Sequence, residues 1–285
     1  MNKNTETFIG CDGDYGKAEI VLFGAPFDGT TSYRPGARFG GKVIRGESCG
    51  LETYSPQSDR DLTEINVFDM GELELPFGNT ERALDEIYAV QRKITADGKI
   101  PVMLGGEHLV TLPAVRAAVE KHPDLAVIHF DAHADLRDDY LGEKLSHACV
   151  MRRCHELLGD DRLYSFGIRS GTREEFAWAK EHIFSERFKL PLDGISAAAK
   201  RLKNTPVYFT IDLDVLDPSV FPATGTPESG GVSYNEFHAA LALVCSEFNV
   251  VGADLVEYSP PYDLNGVCAA VAGKILRELL LSLKP

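Results

Sequence analysis

The run 129–135, His-Phe-Asp-Ala-His-Ala-Asp, follows directly after the apolar residues 125–128 and contains Asp131, His133 and Asp135. An apolar run that ends in this pattern is typical of a β-strand followed by metal ligands. Asp side chains are rarely buried unless they are paired or coordinated, so an acidic cluster at the end of a buried strand requires a cation.

Two further apolar runs end in the same kind of residue. His108 follows residues 101–104 through Gly105-Gly106-Glu107, and Asp212 and Asp214 follow residues 207–211. Residues two apart on a strand share a face, and ligands of parallel α/β sheets gather at the carboxyl ends of the strands. An isolated Asp-x-Asp is more often a turn or a helix cap. The three runs together nevertheless predict a site for divalent metal.

Eight short apolar runs alternate with amphipathic segments along the chain. This alternation predicts a single α/β domain over 1–285, with its core at about 18–283, in which helices cover both faces of a mainly parallel sheet. The predicted helices include 80–96 and 267–283. The predicted strands are 20–24, 65–69, 102–105, 125–131, 163–168, 187–190, 207–212 and 250–257.

Composition excludes several classes of protein. The net charge of −14 argues against a general nucleic-acid surface and is compatible with a cationic substrate. The N-terminal segment 1–7 has no apolar signal core and no stretch is long enough for a membrane span, so we expect no membrane partner and a cytoplasmic protein. The six cysteines contain no Cys-x-x-Cys pair, which argues against a thiolate zinc site or a disulfide scaffold.

Four carboxylates and two imidazoles exceed the needs of one metal ion, since a catalytic zinc site typically takes three protein ligands. Two metals bridged by shared carboxylates fit this set better. The oxygen-rich ligands favour Mn²⁺, although Ni²⁺, Co²⁺ and Zn²⁺ remain open.

These motifs together resemble the ureohydrolase (arginase and agmatinase) family. The resemblance extends from about residue 20 to 275, and the segment 24–40 is most typical of the agmatinase branch. The matching segments are 24–40, 105–108, 130–135, 146–147, 210–218, 221–231 and 254–260.

The resemblance implies a three-layer αβα domain with an eight-stranded sheet, of the arginase and deacetylase type, and a homo-oligomer, a trimer or hexamer. It also implies two Mn²⁺ ions per subunit. One ion would be held by His108, Asp131, Asp135 and Asp212, and the other by Asp131, His133, Asp212 and Asp214. Two departures from the family pattern leave all the ligands in place: Glu107 replaces a frequent Asp, and Ala148 a common Gly.

The resemblance also implies a reaction, in which a metal-bridging hydroxide attacks the guanidino carbon of the substrate and urea is released. Asp135 would accept the proton and pass it to the leaving amine, His147 would be a proton shuttle, and Glu257 would pair with the guanidinium. Ser146-His147 is equally typical of a helix N-cap and a first-turn residue. The remaining histidines are interpreted as structural or surface residues: His122, His129, His155, His182 and His238.

The sequence indicates the type of reaction more clearly than it indicates the substrate. Arg137, Glu143 and Thr172 occupy positions where the arginase branch has polar residues that hold an amino acid. Agmatine is therefore favoured, with its ammonium attracted by Glu143 or by the acidic pair at 138–139. Arg137 could instead face the carboxylate of guanidinobutyrate, and guanidinopropionate, guanidine and arginine remain alternatives.

Two other classes of protein fit the sequence less well. A deacetylase of the same architecture would carry one metal and an adjacent His-His pair, which this sequence lacks. A non-catalytic, metal-stabilised binding protein would release no urea, and the presence of Asp135, His147 and Glu257 argues against it.

Overall fold

An eight-stranded parallel sheet forms the centre of the computed structural model, which describes residues 6–283. Most of the predicted signal-free segment 1–7 lies outside the described residues. The strand order is β4-β1-β5-β10-β9-β6-β7-β8, and β2 and β3 form a separate antiparallel hairpin. The strands are β1 Ile20–Ala25, β2 Tyr54–Ser55, β3 Arg60–Asp61, β4 Val67–Glu72, β5 Ile100–Gly105, β6 Ala126–Phe130, β7 Leu163–Ile168, β8 Phe184–Arg187, β9 Pro206–Asp212 and β10 Asn249–Val256.

The central strands are buried on both faces, as expected for parallel strands covered by helices. In β6, Ile128 and Phe130 pack into the core on one side of the sheet, while Val127 packs into the core on the other. This alternation follows from the two-residue repeat of a strand.

Helices cover both faces, so the predicted three-layer fold is confirmed. Helices α1, α6, α7 and α8 pack on one face, and α2 to α5 pack on the other. Among residues 6–283, no helix combines the length and the apolar character needed to cross a membrane. The helices are α1 Gly40–Glu47, α2 Thr80–Ala96, α3 Thr111–Lys121, α4 Val150–Leu158, α5 Arg173–His182, α6 Leu192–Arg201, α7 Tyr234–Glu247 and α8 Val267–Ser282.

The predicted element boundaries hold where local signals are strong. Helix α2 has the predicted bounds, because the Asn79 side chain accepts a hydrogen bond from the Arg82 N–H and caps the first turn. The predicted strand 187–190 was wrong, since β8 is Phe184–Arg187. The chain leaves the sheet at Phe188, whose φ of 67° lies in the left-handed region. As an edge strand paired only with β7, β8 is half-buried and carries a weak apolar pattern.

The strand order determines where the predicted ligands meet. Strands β5, β10, β9 and β6 are neighbours in the middle of the sheet. His108 follows β5, Asp131 follows β6, Asp212 ends β9 and Glu257 follows β10. Because parallel strands end at the same edge, these four side chains are delivered to one place.

Candidate active site

His108 lies at the centre of a first cluster of buried side chains. Its Nδ1 is 3.0 Å from Asp131 Oδ2, 3.3 Å from Asp135 Oδ2 and 3.3 Å from Asp212 Oδ2. None of these contacts is a well-directed hydrogen bond, so Nδ1 is buried without a satisfactory partner. One nitrogen and three carboxylate oxygens that converge in this way fit a shared cation better than a set of hydrogen bonds.

His133 belongs to a second cluster that shares Asp131 with the first. His133 Nδ1 is 2.9 Å from Asp214 Oδ2 and 3.6 Å from Asp131 Oδ1. Asp214 Oδ2 is also buried without a hydrogen bond. Asp131 therefore presents Oδ2 to the first cluster and Oδ1 to the second, and the structure brings all six predicted ligands together.

The carboxyls of the two clusters disfavour one another's charge. Burial raises the pKa of Asp135 to about 7, and the charge on Asp131 adds to the increase. Burial and the neighbouring Asp214 likewise raise the pKa of Asp212 well above its ordinary value. Bound positive charge would stabilise the ionised forms of Asp135 and Asp212, so these residues fit divalent metal.

His129 contacts Asp131, which both clusters share, and we did not predict this contact from the sequence. Its Nε2 lies 2.8 Å from Asp131 Oδ2 and its Nδ1 lies 3.0 Å from Ser165 Oγ, with the whole side chain buried. The signal was present, because His129 precedes Asp131 by two residues and shares its face of the strand. On the other side, the His108 ring is oriented by Thr210, whose Oγ1 lies 2.9 Å from Nε2.

Asp135 and Glu257 both have backbones in the left-handed region, with φ of 52° and 66°. Such a conformation costs a non-glycine residue about 1–3 kcal/mol and is often found at functional sites. The Asp135 carbonyl accepts hydrogen bonds from the Met151 and Arg152 N–H groups at the start of α4. The Glu257 Oε1 accepts one from the His108 N–H at 2.8 Å. These contacts hold the Asp135 backbone and the Glu257 side chain in place.

A cavity of about 230 Å³ opens beside the clusters. Glu257 and His147 line it together with the predicted ligands His133, Asp135 and Asp212. Burial raises the pKa of Glu257 to about 8, and the negative charge of Glu107 adds to the increase. A carboxyl in this state is stabilised in its charged form when a cation binds beside it.

The loop that follows β1 orients His147. The buried Glu107 accepts hydrogen bonds from the Thr30 N–H and hydroxyl and from the Thr31 hydroxyl. The Thr30 hydroxyl in turn accepts one from the His147 N–H at 3.1 Å, and Ser32 Oγ lies 3.3 Å from His147 Nε2. Burial lowers the pKa of His147 to about 4, so its imidazole is neutral at pH 7.

Arg137 and Glu175 are the charged residues of the cavity wall away from the clusters. The Arg137 guanidinium carbon lies 4.9 Å from the Tyr140 ring centre, and its Nε is 3.8 Å from Glu175 Oε2. Glu175 also accepts hydrogen bonds from the N–H groups of Leu136 and Thr172. Arg137 is thus only partly neutralised.

The acidic residues expected to attract an ammonium lie elsewhere. Glu143 is exposed and lines a neighbouring cavity. Asp138 pairs with Arg153 Nη2 at 2.8 Å, and Asp139 accepts a hydrogen bond from the Gly142 N–H. Of the predicted substrate-binding residues, Glu257, His147 and Arg137 line the cavity of the clusters, and Glu143 does not.

Comparison with known proteins gives a consistent result. A family model described as "Arginase family" matches residues 18–282. The chain is 49% identical to the agmatinase of Bacillus subtilis strain 168, over 97% of this chain and 96% of that protein. It is 37% identical to the mitochondrial guanidino acid hydrolase of Homo sapiens, over 93% of this chain and 78% of that protein. The crystal structure of agmatine ureohydrolase from Thermoplasma volcanium superposes with a TM-score of 0.89 at 36% identity, covering 98% of this chain and 94% of that one.

Proposed function

This chain belongs to the arginase family, and we propose that it hydrolyses the guanidino group of agmatine to give putrescine and urea. The observation that carries the proposal is the convergence of two histidine and four aspartate side chains beside a cavity lined by Glu257. The identity of 49% with an agmatinase, over nearly the full length of both chains, supports agmatine as the substrate.

We propose that the two clusters hold two Mn²⁺ ions. His108, Asp131, Asp135 and Asp212 would bind the first ion, and Asp131, His133, Asp212 and Asp214 the second. When bound, such ions act as Lewis acids and lower the pKa of coordinated water, which makes a nucleophile available near neutral pH. The buried and unsatisfied His108 Nδ1 and Asp214 Oδ2 support this assignment.

The residues of the cavity would bind the substrate and carry protons. Glu257 would pair with the planar guanidinium, for which a carboxylate is the matching acceptor. Water adds to the guanidino carbon, the bond to the alkyl amine breaks, and the leaving amine takes up a proton. Asp135 would accept the proton that the attacking water gives up and pass it to the leaving amine, and neutral His147 would exchange protons with solvent at the cavity wall.

A second candidate function is hydrolysis of a guanidino acid such as guanidinobutyrate. The observation in its favour is Arg137, a guanidinium in the cavity wall that Glu175 only partly neutralises. A substrate carboxylate would be attracted to Arg137, whereas an ammonium would be repelled by it and attracted by Glu175.

Urea release by the Mn²⁺-loaded protein distinguishes the candidates when measured with agmatine, arginine, guanidinobutyrate, guanidinopropionate and guanidine. We expect agmatine to have the highest kcat/KM. Arg137→Gln should then leave agmatine hydrolysis intact or improve it, and Arg92→Gln, at an exposed arginine of α2, is the matched control. A preference for guanidinobutyrate that Arg137→Gln abolishes would establish the second candidate instead.

The proposal includes a cytoplasmic homo-oligomer, a trimer or hexamer, that acts in putrescine biosynthesis. The family resemblance supports these features. Light scattering of the purified protein measures the assembly, and a monomeric mass at micromolar concentration would contradict it.

A further inference from the structure

A surface cluster of His155, Asp160 and His182 is not used by the proposed reaction. His155 lies in the last turn of α4, His182 is the last residue of α5, and Asp160 lies in the turn after α4. His155 Nε2 and His182 Nδ1 are each 2.8 Å from the same oxygen, Asp160 Oδ1. Two ring nitrogens from separate helices therefore converge on one carboxylate oxygen at hydrogen-bond distance.

We propose that these three residues form a second metal site, which binds Zn²⁺ or another imidazole-seeking transition-metal ion. Two imidazoles and one carboxylate make a known zinc ligand set that leaves a position for water. Mn²⁺ is the weakest binder in the order of divalent metals, so this site differs in preference from the carboxylate-rich clusters of the cavity.

The geometry requires little rearrangement. The three ligand atoms lie within 4.8 Å of one another. Ligand atoms held tetrahedrally at about 2.1 Å from zinc lie about 3.4 Å apart, so the 2.8 Å contacts need to open by only about 0.6 Å. Asp160 is 61% exposed, which gives an ion access from solvent.

The surroundings favour positive charge. The site lies at the carboxyl ends of α4 and α5, where the partial negative charges of both helices add to the charge of Asp160. A bound ion would connect the two helix ends. It would therefore stabilise the folded state through its binding free energy.

Trp178 provides a direct probe, because it is the sole tryptophan of the sequence and contacts both histidines. Its ring stacks on His182 at 4.4 Å between centres and meets His155 edge to face at 4.7 Å. Cu²⁺, a paramagnetic ion that prefers imidazole, should quench its fluorescence on binding.

The experiment titrates Mn²⁺-loaded full-length protein with CuCl₂ while recording tryptophan fluorescence, and measures the Tm with and without ZnCl₂. In the wild-type protein we expect saturable quenching at one equivalent of Cu²⁺ and a rise in Tm with Zn²⁺. With Asp160→Asn or His182→Gln, the metal concentration needed for half of either effect should rise at least about tenfold. Even loss of a residue that only hydrogen-bonds a metal ligand lowers metal affinity about 10- to 100-fold.

His122→Gln, at a histidine outside the cluster, is the matched control and should behave as the wild type. Asp160→Asn keeps its size at an exposed position, so its fold should be retained even where a histidine variant is unstable. Quenching and Tm shifts that are the same in wild type, Asp160→Asn and His182→Gln would overturn the proposal.

Discussion

Asp135 combines a buried carboxyl group among the proposed metal ligands with a left-handed backbone. Asp135→Asn keeps the shape and the backbone contacts but removes the basic group. We expect kcat for urea release to fall by about 10²–10⁴, the usual contribution of a proton-transfer group, with metal still bound. The measurement is kcat together with bound manganese per chain, and Asp124→Asn, on an exposed turn, is the control. Turnover within a few-fold of wild type would contradict the role of Asp135.

Glu257 is held by the backbone of His108, so its position survives a change of charge. Glu257→Gln should lower kcat/KM for agmatine by about 30-fold or more, the equivalent of about 2 kcal/mol for a buried charge pair that loses one partner. Steady-state urea release measures this effect. An unchanged kcat/KM would show that the guanidinium binds elsewhere.

His147 gives the protein a defined dependence of stability on pH. Burial lowers its pKa to about 4 in the folded state, against 6.5 in the unfolded chain. The unfolded state thus binds more protons between these values, so the stability from this residue is present above pH 6.5 and is lost as the pH falls toward 4. The free energy of unfolding at pH 5 and pH 7 should differ less in His147→Gln than in wild type. An equal difference in both proteins would contradict the lowered pKa.

The turn after β5 brings the loop 26–36 against the site. A Cβ at Gly106 would lie 1.7 Å from the Phe27 carbonyl oxygen, so Gly106→Ala must displace backbone. We expect a loss of about 1–3 kcal/mol or more in the free energy of unfolding, together with loss of urea release as Glu107 and Thr30 separate. Gly46→Ala is the matched control, since a Cβ there meets nothing within 4 Å and a helical alanine should be neutral or stabilising. Equal stability of the two variants would contradict the close approach of loop and turn.

The strands and the meeting of the polar side chains at their ends could be predicted from the sequence, because each of these side chains follows an apolar run and parallel strands end at one edge. The paths of the loops could not be predicted from the sequence. Glu143 and Asp138 lie in a segment whose path depends on a turn at Leu141 and Gly142, with φ of 56° and 90°, and on a pair with Arg153 of α4. Tertiary contacts of this kind produce no periodic pattern in the local sequence. The role of His129 was missed because a buried strand histidine is equally typical of a plain core.

At the scale of the whole molecule, acidic side chains are concentrated at the centre of the sheet. Four carboxyls lie at the ends of adjacent central strands in a chain with a net charge of −14. Burial and repulsion raise the pKa of Asp135 and Asp212, whereas hydrogen bonds from His108, His129 and His133 hold the pKa of Asp131 well below its ordinary value. We therefore expect the proposed cations to stabilise this edge of the sheet when they bind.

Restoring Mn²⁺ to metal-depleted protein while urea release from agmatine is recorded tests the proposed binuclear centre most directly. We expect no urea without metal, and full activity when two Mn²⁺ ions are bound per chain, with putrescine and urea formed in equal amounts. Protein that binds two ions and remains folded but releases no urea from agmatine would contradict the proposed function.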